Sequence, residues 1–265
     1  VISSFADIRN VSFSYDRKKP AVRDFSLSIP SCRISSFWEE NREGVFVAII
    51  GPNGSGKTTL MKMLAGILRP RSGTAEILGF PVTEKTDPAK VLAYVPQVLE
   101  LGFSLSVLDF VLLGVSSEGR LGKVSRATVQ KARDALRFLC IEDYAERDML
   151  RLSGGERQKV ILTKALAQET PAILLDEPMT HLDLAGQIEI LDLLKKMSWE
   201  GKKILAIMHD INLAARYADY TVIMKDASLF AAGKTGEVIT EENIRQAFSV
   251  VVRRAGDFFI PVKMF

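Results

Sequence analysis

The strongest constraint on how this chain folds lies in residues 45–68. An unbroken apolar run at 45–50 is followed by Gly51, Pro52, Asn53, Gly54, Ser55, Gly56, Lys57 and Thr58. Residues 59–68 come next, with Leu60, Met63, Leu64 and Ile67 at helical spacing. A continuous apolar run of this length reads as a strand buried on both faces, the pattern of a parallel sheet. A glycine-rich turn joining such a strand to a helix commits the chain to a β-loop-α unit. The turn also has a chemical reading. Its glycines leave backbone N–H groups uncovered at a helix start, where the helix dipole favours an anion. Lys57 supplies a cationic point charge and Thr58 a hydroxyl suited to Mg²⁺. The sequence fits the phosphate-loop pattern G-x-x-x-x-G-K-[ST] in the strand-to-helix context the pattern needs.

A second apolar run, at residues 172–175, is too short for a helix and delivers Asp176 and Glu177 at its end. Ligands gather at the carboxyl ends of parallel strands. Adjacent strand residues point to opposite faces, so the two acids are expected to take different tasks. One carboxylate can hold Mg²⁺ and the other can polarise an attacking water. Upstream, Leu152, Ser153, Gly154, Gly155, Glu156, Arg157 and Gln158 precede an apolar-periodic helix carrying Ile161, Leu162, Ala165 and Leu166. Two readings are open there. One is a Ser153–Glu156 capping box. The other is an anion site built from the Ser153 hydroxyl and the uncovered amides of Gly154 and Gly155.

Taken together and in this order, these elements resemble the ATP-binding cassette (ABC) family over residues 8–252. Residues 152–158 are similar to its signature, 51–58 to its Walker A motif and 172–177 to its Walker B motif. The resemblance implies ATP and Mg²⁺ as ligands, with Asp176 and Thr58 at the metal and Glu177 as general base. It also implies that Gln97, in Tyr94-Val95-Pro96-Gln97, reaches the metal or the water, and that His209 contacts the γ-phosphate. Residues 179–183 resemble the D-loop, with Asp183 its residue of interest and His181 a structural or interface side chain. Tyr15 matches the aromatic that stacks on adenine, an interaction worth about 1–3 kcal/mol. A period-two strand face would equally account for Phe13 and Tyr15. The implied nucleotide set is therefore Tyr15, Gly51 to Thr59, Ser153, Gly154, Gly155 and Asp183. Ser153 lies on a different lobe from Lys57, so a head-to-tail homodimer is expected, sandwiching ATP between two chains.

Residues 166–168, 181–184 and 209–219 look most like the importer subfamily serving iron-siderophore, haem and cobalamin uptake. This implies an ATPase on the cytoplasmic face of a membrane permease, with a substrate-binding protein as an indirect partner. The alternatives are a soluble ABC ATPase, such as one in iron-sulfur assembly, or an importer for a metal ion or oxyanion. A non-hydrolysing scaffold is disfavoured because Glu177 and His209 are both present. Composition sets further limits. Lys plus Arg number 35 against 32 Asp plus Glu, a net charge of +3 with no basic block, so nucleic acid is not expected as a partner. Cys32 and Cys140 have no metal-ligand or disulfide-framework spacing. No apolar stretch approaches the roughly 18 residues of a membrane span and no signal-peptide pattern is seen, so membrane attachment is expected through another subunit.

The expected fold is α/β: a P-loop NTPase core with a mainly parallel sheet, an antiparallel β subdomain and an inserted helical subdomain. Residues 1–97 and 153–240 form the core with the β subdomain, 98–152 the helical part and 241–265 a tail. Strands are expected at 172–176, 203–208 and 220–225, a helix start at Thr240 and a short strand at 258–260. Val129, Ala132, Leu136 and Leu139 read as a packed helical stripe. Leu99, Leu101, Phe103 and Leu105 alternate, which reads either as a strand or as apolar anchors for a short permease helix. Residues 31–44 read as a solvent loop. Asp226-Ala227-Ser228 stands where the family commonly has a glycine in a hairpin turn, a change expected to alter local geometry and not catalysis.

Overall fold

The computed structural model describes residues 4–264 apart from 17–18, 32–43, 84–85, 100, 116–124 and 181. Nearly all of the 31–44 loop and His181 therefore lie outside the described residues. The chain opens with β1 (Ser4–Phe13), β2 (Val22–Pro30), β3 (Val45–Ile50), α1 (Lys57–Leu64), β4 (Ser72–Ile77), β5 (Phe80–Pro81) and β6 (Leu92–Val95). Helices follow: α2 (Val107–Val115), α3 (Arg126–Phe138) and α4 (Gly154–Ala167). The remainder comprises β7 (Ala172–Leu175), α5 (Leu184–Trp199), β8 (Lys203–Ile207), α6 (Ile211–Tyr217), β9 (Tyr220–Lys225) and β10 (Ser228–Lys234). It closes with α7 (Thr235–Val238), α8 (Glu241–Phe248), β11 (Val250–Ala255) and β12 (Phe258–Met264).

The apolar runs become the middle of a six-stranded sheet ordered β10-β9-β3-β8-β7-β6. It is parallel except for the edge strand β10. Every residue of β3 is buried, and its alternation divides the core into two layers. Phe46, Ala48 and Ile50 pack with the helical side, against Phe110, Leu136 and Ile161. Val45, Val47 and Ile49 pack with α1 and the antiparallel sheet β2-β1-β4-β5. Because β3, β8, β7 and β6 lie side by side and parallel, the segments leaving their carboxyl ends meet along one edge. Those segments carry Lys57, His209, Asp176 and Gln97.

In the helical region, Ala132, Leu136 and Leu139 of the expected stripe are buried and Val129 is half-buried. Ser125 caps α3 by accepting from the Thr128 N–H. Helix α4 does not separate this region from the core, since Val160, Ile161 and Ala165 belong to the same buried cluster as Phe46 and Val107.

Several expectations need correction. The helix after the phosphate loop ends at Leu64, and Gly66 turns left-handed at φ 73°, which leaves Ile67 exposed. The described residues of 98–107 do not form the strand their alternation allows. Leu99 and Leu101 are partly buried against the core, while Val98 and Phe103 are 65% and 66% exposed. At the tail, Thr240 caps α8 as expected, but the short strand at 258–260 is longer and pairs antiparallel with β11, a strand the sequence reading did not contain. The Asp226-Ala227 turn joins β9 to β10, which pair through Lys225 and Ser228. Both turn residues adopt positive φ, 48° and 63°, the backbone of a type I′ turn made without glycine.

Candidate nucleotide site

The phosphate loop is shaped by close packing. A Cβ on Gly51 would come within 2.2 Å of the Met224 carbonyl oxygen, and one on Gly56 within 2.2 Å of that of Ala21. Gly56 also sits at φ 99°, a left-handed conformation that side chains resist. Lys57, 5% exposed, donates from Nζ to the carbonyls of Gly51 and Pro52 at 2.8 and 2.9 Å. That leaves the third of its N–H donors for an anion. Burial lowers the Lys57 pKa, opposed by the nearby Glu177 and Asp176 carboxylates. Ser55 is 3% exposed, and among the described residues its Oγ has no hydrogen-bond partner. A buried, unsatisfied hydroxyl costs free energy until a ligand meets it. The loop therefore holds an unmet donor and a desolvated cation together, which fits a phosphate.

Asp176 follows directly on β7 and is 1% exposed. Thr58 Oγ1 donates to its Oδ1 at 3.1 Å, and the Tyr94 phenol donates to its Oδ2 at 3.3 Å. Burial raises the Asp176 pKa, the Thr58 bond opposes this, and the Glu177 charge adds to the rise. A hydroxyl and a carboxylate in contact form a hard oxygen donor set of the kind Mg²⁺ takes.

Glu177 meets other partners than Asp176 does. Regular β structure stops at Leu175, so both acids lie just past the strand, with Glu177 in left-handed backbone at φ 53°. Its carboxylate is gripped from two sides. Gln97 Nε2 donates to Oε2 at 2.6 Å, and His209 Nε2 lies 2.7 Å from Oε1. Residues from the ends of β6, β7 and β8 thus converge on one acid beside the phosphate loop. Tyr15 stands past the end of β1 and is 64% exposed. Its hydroxyl is 3.4 Å from Thr59 Oγ1 and its ring meets Phe13 edge-on at 5.0 Å.

Among the described residues no hydrogen bond or ion pair joins Ser153, Gly154, Gly155 or Asp183 to this cluster. Ser153 caps α4 in a reciprocal box with Glu156, so the helix-capping reading holds within the single chain. Gly154 is exposed at the helix start, and Gly155 lies close to Leu182, where a Cβ would be 3.4 Å from its Cδ2. Asp183 caps α5 by accepting from the Gly186 N–H at 2.8 Å. The contact of Tyr94 with Asp176 was absent from the sequence reading. Its only signal is positional, an aromatic at the carboxyl end of a strand neighbouring β7.

Comparison with known proteins agrees with this geometry. The profile of the ABC transporter family matches residues 40–180. A probable iron chelatin transport ATP-binding protein of Helicobacter pylori is 37% identical over 246 residues, 90% of each chain. The iron(3+)-hydroxamate import ATP-binding protein of Bacillus subtilis is 37% identical over 86% of this chain and 82% of its own. Among solved structures, a metal-chelate type ABC transporter in an inward-facing conformation superposes with TM-score 0.81 at 27% identity, covering 98% of both chains. A dimeric ATP-binding cassette in a post-hydrolysis state with ADP and phosphate gives TM-score 0.71 at 26% identity, over 87% of this chain and 98% of the other. With the profile spanning over half of its length and relatives matching most of it, the chain belongs to the ABC transporter family and is one of its ATP-hydrolysing ATP-binding domains.

Proposed function

We infer that this ATPase powers uptake of a metal chelate, working as a head-to-tail homodimer on the cytoplasmic face of a membrane permease that a substrate-binding protein supplies. The observation that carries the catalytic part is the Glu177 carboxylate held between Gln97 and His209 beside the phosphate loop. In this reading Glu177 takes a proton from the attacking water, and His209 and Gln97 fix its direction. Lys57, Ser55 and the loop amides hold the phosphates, with Tyr15 against the base. Thr58 and Asp176 would hold Mg²⁺, which when bound neutralises charge on the transferred phosphate. Ser153, Gly154 and Gly155 serve the nucleotide of the opposing chain, with Asp183 at the seam.

The cargo reading rests on the relatives described as iron chelatin and iron-hydroxamate transport proteins and on the metal-chelate type structural neighbour. A second cargo is favoured by one observation: a manganese transport ATP-binding protein of Bacillus subtilis is 35% identical over 91% of each chain. No helix among the described residues is long and apolar enough to cross a membrane. Attachment through the permease is supported by a cleft between the core and the helical region, lined by Ile67, Leu99, Phe110, Leu113 and Lys164.

The test is to isolate the chain from membranes with its permease and compare uptake of a ferric chelate and of manganese in cells with and without it. Chelate uptake that depends on the chain supports the reading. Manganese uptake alone selects the second cargo, and failure to co-purify with any multi-span protein contradicts the importer assignment.

A further inference from the structure

A buried carboxylate is costly unless both oxygens find partners. Those of Asp176 are held by hydroxyls from two different elements, Thr58 at the start of α1 and Tyr94 on β6. Strand register fixes the second contact. Tyr94 lies opposite Leu174 and Val95 opposite Leu175, and the Asp176 N–H donates to the Val95 carbonyl at 2.9 Å. Tyr94 is thus carried to Asp176 by paired backbone, and its hydroxyl arrives without a loop having to order. Tyr94 also lines the cleft shared by Pro96, Leu99, Phe110 and Lys164.

We propose that Tyr94 is a positioning residue for Mg²⁺: its phenol locks the Asp176 carboxylate so that Oδ1 stays turned toward Thr58. The terminal torsion of an aspartate is broad, so a carboxylate held at one oxygen alone can swing. Fixing the second oxygen removes that freedom before the metal arrives. Hydrogen bonds of this kind to ligating carboxylates typically govern metal affinity by about 10- to 100-fold. The inference rests on Asp176 as the metal carboxylate, so its test has to separate the two claims.

Mn²⁺ serves as the probe, titrated by electron paramagnetic resonance into the full chain with a non-hydrolysable ATP analogue. Wild type, Tyr94→Phe and Asp176→Asn are compared, with nucleotide affinity measured separately in EDTA. Tyr94→Phe keeps the ring in the core and in the cleft while removing the hydroxyl. Its Mn²⁺ affinity should fall about tenfold, with thermal midpoint and metal-free nucleotide affinity unchanged. Asp176→Asn should weaken Mn²⁺ at least as much. Wild-type Mn²⁺ affinity in Tyr94→Phe beside a weakened Asp176→Asn overturns the role of Tyr94. A lower thermal midpoint with unchanged Mn²⁺ affinity also overturns it, since that marks a purely structural residue. Wild-type Mn²⁺ affinity in Asp176→Asn removes the metal assignment, and the inference with it.

Discussion

A general base must keep lone pairs free while its orientation is fixed. Glu177 meets both conditions, because Gln97, His209 and, at 3.5 Å, the Thr180 hydroxyl each occupy one position on its two oxygens and a carboxylate has about four. Its backbone at φ 53° is held in a conformation that side chains ordinarily avoid. Strain of this kind gathers where a functional group has to be aimed. Glu177→Gln preserves shape and one acceptor but removes the base. Turnover should fall by roughly 10² to 10⁴, with ATP binding retained and a dimer trapped on ATP, as measured by single-turnover hydrolysis and gel filtration. Near-normal hydrolysis by that variant would remove Glu177 from the base role.

At the scale of elements, what was legible in the sequence was whatever is written locally. Residues 45–50 and 172–175 are apolar throughout because they are buried on both faces, so composition alone marks them as central strands. Ser153 and Thr240 cap helices with short polar side chains that act within three residues. Only residues 258–260 of the β11-β12 hairpin were legible, because β12 places Phe258, Ile260 and Val262 on an exposed face and Phe259 in the core, so no polar alternation marks its full length. Tyr94 escaped because its partner comes from register between two strands 80 residues apart in the chain, which no local pattern records. Asp176 and Glu177 meet different partners just past Leu175, the last residue of the regular strand. The β9-β10 turn offers a test of local geometry. Left-handed backbone costs a residue other than glycine about 1 kcal/mol or more, and Ala227 sits at φ 63°. Ala227→Gly should therefore stabilise the chain by about 1 kcal/mol in chemical denaturation, with ATPase rate unchanged. A loss of stability would mean that the buried Ala227 methyl group contributes more than the turn conformation costs.

The whole molecule works only if two further surfaces are real. The first is the surface at Phe103, where an exposed aromatic follows Gln97 by six residues and Gln97 touches the catalytic acid. Phe103→Asp, at a side chain with little core contact, should leave folding and ATP binding intact while weakening permease binding and uncoupling transport. Unchanged transport would take Phe103 out of the coupling path. The second surface is the dimer seam, and it carries the central claim, that each ATP is held by the phosphate loop of one chain and the signature helix of the other. The most direct measurement is ATPase activity in a mixture of Lys57→Ala and Gly155→Asp chains, each inactive alone. A shared site gives every mixed dimer one intact pair, Lys57 from the second chain with Gly155 from the first, so hydrolysis should reappear on mixing. If the mixture stays as inactive as its components while mixed dimers are shown to form, the shared site is contradicted.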